Sequence, residues 1–174
     1  PSTGTLSGGT KRTRFYDPTR GGWAAHRFYG PLSFMRFDHH VPPLGTSPAR
    51  SAWYASTSLV GAIAESFGNV GVVDRACGRR VVVVQAVRAL AVVDLVGVAA
   101  RRVGLTQEVG STTDYARTQE WARAFYDQYT QLVGIRWRGR QSGSICFVLN
   151  DRALMGHLAL VSDHAINDPR VWPR

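Results

Sequence analysis

The sequence predicts an α+β domain, on three observations. Residues 80–87, Arg-Val-Val-Val-Val-Gln-Ala-Val, are β-branched and strand-like, and residues 91–95 and 144–149 repeat the pattern. Residues 114–129 carry the helical period, with Trp121, Ala122, Ala124 and Phe125 on the buried side of an amphipathic helix that Asp114 caps. Strands and helices do not alternate regularly, no βαβ unit holds a glycine-rich phosphate fingerprint, and no repeat of about 20 to 50 residues is present. At 174 residues and 44% hydrophobic content the chain can build one core without metal or disulfide support, so residues 12–174 are read as a single domain.

Residues 1–11 are mostly Ser, Thr and Gly without an apolar period and are expected to be a flexible lead-in. Residues 12–16 alternate enough for a short strand, ended by Asp17-Pro18 and the turn signal Gly21-Gly22. An aromatic, irregular stretch follows over residues 26–40, then a loop over 41–49 with three prolines. So much Phe, Tyr and His without helical period fits pocket walls as well as it fits a core loop. A short strand ends near Tyr54. Ser56 or Thr57 then caps a helix in which Leu59, Val60, Ile63 and Phe67 fall at helical spacing before Gly68-Asn69 closes it. After the strands at 80–87 and 91–95, residues 99–103 form a helical turn and 104–113 a loop. Beyond the long helix, residues 134–137 and 144–149 are strands around a glycine-rich turn, 151–154 a turn of helix and 157–162 a last strand.

Charge and cysteine content narrow the function classes. The formal charge is +9 with a pI near 10.5, and Lys11 is the only lysine, so the positive charge is almost all arginine. Arginine suits bidentate recognition of phosphate or carboxylate. The arginines are scattered along the chain, so a nucleic-acid partner is open but not favoured over a polyphosphate ligand or an acidic protein. Two cysteines make no disulfide framework. No Cys-His cluster has zinc spacing, and adjacent His39 and His40 would point to opposite sides of a strand, so no metal is expected. No segment approaches the roughly 18 apolar residues of a membrane span, and a cytoplasmic protein without membrane attachment is expected.

Glu65 is the only formally charged residue between Arg50 and Asp74. A carboxylate that shares a helix with so many apolar and small side chains sits either on a narrow solvent stripe or beside a cavity. The order of motifs around it is distinctive: Arg14-Phe15-Tyr16, Phe28-Tyr29-Gly30-Pro31, Arg36-Phe37-Asp38-His39-His40, Tyr54 eleven residues before Glu65, Asp114 to Trp121, and Gly134-Ile135-Arg136-Trp137. Together, from about Arg12 to Arg152, these resemble the RES-domain family, named for an Arg, a Glu and a Ser that meet in one pocket.

The resemblance implies an ADP-ribosyltransferase-like fold, with a split, mixed or antiparallel sheet and flanking helices, and NAD+ as substrate with no further cofactor. Family members are mostly bacterial toxins that deplete NAD+ by hydrolysis or phosphorolysis and are paired with an Xre-type antitoxin. A neutralising antitoxin or immunity protein is thus implied, with action in the cytoplasm of the producing or a target cell. By position, Arg14 corresponds to the family arginine, Phe15 to a following aromatic, Arg36 to a second pocket arginine, Tyr54 to a strand-end tyrosine and Glu65 to the catalytic glutamate. Aligned ahead of the long helix, this chain has Ala116 where the family has its serine, with Thr118 the nearest hydroxyl; in the later Tyr-x-Ser-like segment of many members it has Trp137-Arg138-Gly139, with serines following at Ser142 and Ser144.

Cleavage of the bond between nicotinamide and ribose develops positive charge at the sugar carbon, which a carboxylate such as Glu65 stabilises. Arg14 and Arg36 could clamp the pyrophosphate, Tyr54, Phe15 or Phe28 could stack on the nicotinamide ring, and His39 or His40 could line the entrance. Two alternatives stand beside NAD+ cleavage: ADP-ribosyl transfer to a protein or nucleic acid, and a non-catalytic basic binding module.

Overall fold

The computed structural model describes residues 3–9, 11–16, 35–43, 50–96, 98–102, 108–153 and 155–172. Its strands are β1 (Thr3–Leu6), β2 (Lys11–Tyr16), β3 (Ala52–Ser56), β4 (Arg80–Ala86), β5 (Leu90–Asp94), β6 (Gly134–Arg138), β7 (Ile145–Asn150) and β8 (Leu158–Ala165). Helices α1 (Leu59–Phe67), α2 (Val98–Arg102), α3 (Glu108–Ser111) and α4 (Tyr115–Gln128) flank them. The eight strands form one sheet in the order β1-β5-β6-β7-β3-β2-β4-β8, in which only β5 and β6 run parallel. The fold class is α+β, as the sequence predicts.

The sheet is curled, and chain connectivity requires it. Strands β4 and β5 lie five steps apart in the order, roughly 24 Å across a flat sheet. The link from Ala86 to Leu90 reaches only about 14 Å. Closing that gap brings Leu6 and Leu90 from one end of the order into the same buried cluster as Val84 and Leu158 from the other, around Trp53 and Phe147. The opposite face carries a second cluster, where Phe125 and Ala122 of α4 cover Ile135, Trp137 and Val148. A third, smaller cluster sits under α1.

The sheet is also split. Strands β2 and β3 share a single paired position, Thr13 with Ser56, while β2 and β4 pair along six. Helix α1 packs across this seam, touching both strands. Its N-cap is Ser58, whose hydroxyl accepts from the Gly61 N–H at 3.0 Å, one to two residues later than the sequence suggests because β3 runs on through Ser56.

Residues 3–6 are not a flexible lead-in. The alternation Thr-Gly-Thr-Leu places Leu6 in the core, 1% exposed, and lets Gly4 lie against the Asp94 side chain, so the segment adds an edge strand to β5. Within the loop expected over 104–113, Glu108–Ser111 is helical. The last strand extends to Ala165.

Alternation along β2 sends Arg12 and Arg14 to the concave face, opposite their partners Val84 and Val82, where their guanidinium groups lie over Phe147 (4.5 Å) and Trp53 (5.8 Å). Arg12 is buried, and among the described residues its Nη1 donates to the Lys11 carbonyl of its own strand while its Nε has no hydrogen-bond partner. Burial and the charge of Arg136 lower its pKa to about 10. A buried cation so poorly compensated opposes folding. Arg12→Met, of similar length and apolar, should therefore raise the stability by about 1 kcal/mol, read as a higher urea midpoint at unchanged slope.

Candidate active site

The site is assembled on the face of the sheet that carries α1 and α4. Three segments meet there: the loop 35–41, the C-terminal half of α1, and the hairpin between β6 and β7.

The loop is fixed by a buried carboxylate. Asp38, 2% exposed, accepts from the Tyr54 hydroxyl at 2.7 Å and from the Met35 N–H at 2.8 Å, while its own N–H donates to the Met35 carbonyl at 3.2 Å. The Tyr54 oxygen in turn accepts from the Phe37 N–H at 3.1 Å. Burial, and next the Asp38 charge, hold the Tyr54 phenol well above its ordinary value, so Tyr54 keeps its proton and acts here as a strut between strand and loop. Phe37 fills the core beside Trp137, ring centroids 4.8 Å apart.

Arg36, between these anchored neighbours, is oriented from both ends. Its carbonyl accepts from the buried Thr118 hydroxyl at 2.5 Å, its Nη1 donates to the Thr112 carbonyl, and its guanidinium lies 5.0 Å over the Tyr115 ring. Burial pushes the Arg36 guanidinium below its ordinary value; Tyr115 and Glu65 oppose the shift, and Arg140 adds to it. Arg36 is therefore in electrostatic reach of Glu65.

Glu65 is exposed but not free. Its Oε1 accepts from the Gln141 N–H at 3.0 Å. Gly139 approaches the same carboxylate so closely that a Cβ there would collide with it, and would lie 2.8 Å from the Cys146 Sγ. Burial, and next the Glu65 charge, push the Cys146 thiol up to about 12, so it is neutral and no nucleophile.

The structure thus brings Arg36, Tyr54 and Glu65 to one place and sets the other expected residues elsewhere. Arg14 points to the face opposite Tyr54, by the register of Thr13 with Ser56. The Thr118 hydroxyl is engaged with backbone carbonyls, which makes it a support for Arg36. His39 and His40 are buried: His39 stacks on Tyr126 with its Nε2 3.3 Å from Asp151, and His40 Nε2 lies 3.0 Å from the Arg50 carbonyl. Buried in this way, they brace the loop against α4, the residue that follows β7 and the backbone ahead of β3. Phe28 and the side chain of Phe15 lie outside the described residues. Among those described, no three His, Cys, Asp or Glu side chains group as a metal site. Sequence reasoning did not single out Tyr115, Gly139, Arg140 or Gln141, and Asp38 entered it only within the Arg36–His40 motif.

Two comparisons bear on this geometry. The model of the RES domain matches residues 11–169, and the chain belongs to that family. Among solved structures, the crystal structure of the M. tuberculosis MbcT-MbcA toxin-antitoxin complex contains a chain of similar fold, with a TM-score of 0.69 at 19% identity, covering 92% of this chain and 85% of that one. The likeness shows a shared α+β fold, here a split, mixed sheet with flanking helices, as the resemblance implied. A comparison with curated protein sequences finds no match.

Removing the Tyr54 hydroxyl deletes its 2.7 Å bond to the buried Asp38 carboxylate and takes away the acceptor of the Phe37 N–H. Tyr54→Phe should destabilise the protein by about 2 kcal/mol in urea unfolding.

Proposed function

We propose that this protein cleaves the bond between nicotinamide and ribose in NAD+, as a hydrolase or phosphorylase, and serves as the toxin of a toxin-antitoxin pair. The observation that supports this most is the Glu65 carboxylate, held by the Gln141 N–H and within electrostatic reach of the buried Arg36. Family membership and the toxin-antitoxin complex among similar structures support the biological role, with an antitoxin as partner and the cytoplasmic NAD+ pool as target.

The chemistry asks for little else. Nicotinamide is cationic in NAD+ and leaves as a neutral base, taking the bonding electrons with it, so no group has to protonate it. The barrier lies in the positive charge that develops at the ribose carbon, and a fixed carboxylate lowers it. Glu65 can act by proximity to that carbon or by accepting a hydrogen bond from a ribose hydroxyl. Arg36 binds a phosphate through its planar fork and so aligns the scissile bond. Water or inorganic phosphate then takes the place of nicotinamide. Neither Tyr54, which keeps its proton, nor the neutral thiol of Cys146 is needed as nucleophile.

Purified protein incubated with NAD+, with and without phosphate, should release nicotinamide, and acceleration by phosphate would assign phosphorolysis. No release under either condition would sink the proposal. Glu65→Gln should lower the rate at least about 100-fold while the circular dichroism spectrum stays unchanged. Gly139→Ala, which forces the carboxylate to move, should lower it about 10- to 100-fold.

A further inference from the structure

The hairpin between β6 and β7 carries a cation that the fold does not use. Gly139 and Gln141 both abut the Glu65 carboxylate, so Arg140 between them is fixed at the rim of the site. The neighbouring arginines are engaged: Arg136 pairs with Asp94 at 2.7 Å, and Arg138 donates to the Gly143 carbonyl at 2.8 Å. Arg140 is exposed and, among the described residues, makes no hydrogen bond or ion pair, and its charge is felt at buried Arg36. Glu65 forms no ion pair with either arginine. Arg36 lies on the same side of the sheet: it donates to the Thr112 carbonyl, just after α3, whose Gly110 abuts Trp137 and the Arg138 carbonyl at the base of the hairpin. Two guanidinium groups flanking one carboxylate, neither ion-paired to it, fit a dianion that bridges both.

We infer that Arg140, together with Arg36, binds the diphosphate of the substrate and so makes the site select dinucleotides over mononucleotides. This rests on the reading of NAD+ as substrate, and it replaces Arg14 with Arg140 as the second jaw of the clamp. Arg140 sits where it can engage the diphosphate after entry, because it is solvated until then and has no internal partner to give up.

Turnover is compared for NAD+, nicotinamide mononucleotide and nicotinamide riboside, which carry two, one and no phosphate groups. Arg140→Gln should raise the KM for NAD+ about tenfold, that for the mononucleotide less and that for the riboside not at all, with kcat little changed; Arg140→Lys should fall between. Arg101→Gln removes the same charge from α2 and should change none of these. Equal effects on all three substrates, or no effect on NAD+, would overturn the assignment. Calorimetry with ADP-ribose and with inorganic pyrophosphate tests it without turnover. A Kd for both that weakens about tenfold in Arg140→Gln supports the clamp even if wild-type protein releases no nicotinamide, in which case the reading of the reaction alone fails. A Kd unchanged by the substitution overturns the clamp whatever the turnover shows.

Discussion

The hydrogen bond from the Tyr54 hydroxyl to the buried Asp38 carboxylate is the constraint on which the site depends. Tyr54 belongs to β3, whose register with β7 is set by five paired positions and cannot slip without turning Trp53 out of the core. Asp38 belongs to a loop with no ladder of its own. The bond transfers the rigidity of the sheet to the loop, and the second Asp38 oxygen, on the Met35 N–H, closes the turn that presents Arg36. The Thr118 hydroxyl secures the same residue from α4. A loop held at both ends by buried polar groups keeps a charged side chain in place better than exposed ion pairs do, because leaving any of those groups unpaired costs about 1 to 3 kcal/mol.

Electrostatics give the site its asymmetry. The protein carries nine more arginines and lysines than acids, and several of its acids are occupied: Asp94 by Arg136, Asp163 by Arg80 and Tyr16, and Asp151 by His39 and Tyr126. Glu65 is matched by a backbone N–H in place of a cation. A carboxylate bound in that way keeps its negative potential directed into the cleft, which an ion pair would neutralise. On the proposed function, the arrangement separates an anionic point for a developing cation from a cationic rim for phosphates.

The strands and the long helix were legible in the sequence because local patterns determine them, whereas Arg36, Tyr54 and Glu65 were picked out through the resemblance to the RES family. The period of two fixes which residues of β4 and β7 face inward, and the eleven residues from Tyr54 to Glu65 join a strand end to a helix in a set geometry. What could not be read depends on distant pairing. Arg14 was recognisable as a strand residue, but its face is decided by the pairing of Thr13 with Ser56, 43 positions later by number, and by the course of β4. Gly139 and Gln141 looked like an ordinary glycine-rich turn. Their contact with Glu65 spans 76 residues and exists only because β6 and β7 enter the sheet beside β3. Likewise β1 was hidden because four residues with one apolar side chain give no period to detect.

If the family serine is aligned at the start of α4, Ala116 stands in its place and offers no hydroxyl. Ala116 is exposed on the first turn of α4, and the hydroxyl two residues later is buried and directed to the Arg36 carbonyl. The helix thus contributes a hydroxyl to the placing of the arginine and none to the open site. For a reaction whose leaving group departs neutral, a missing hydroxyl removes an orienting contact, while the charge that stabilises the transition state remains. Orientation is the quantity that a second phosphate contact can restore. A guanidinium on the hairpin next to Glu65 is tied to the carboxylate through adjacent backbone, so a substrate held by Arg140 is positioned relative to the acid itself. In this chain the hairpin is consequently the element to which the lost contact is best transferred.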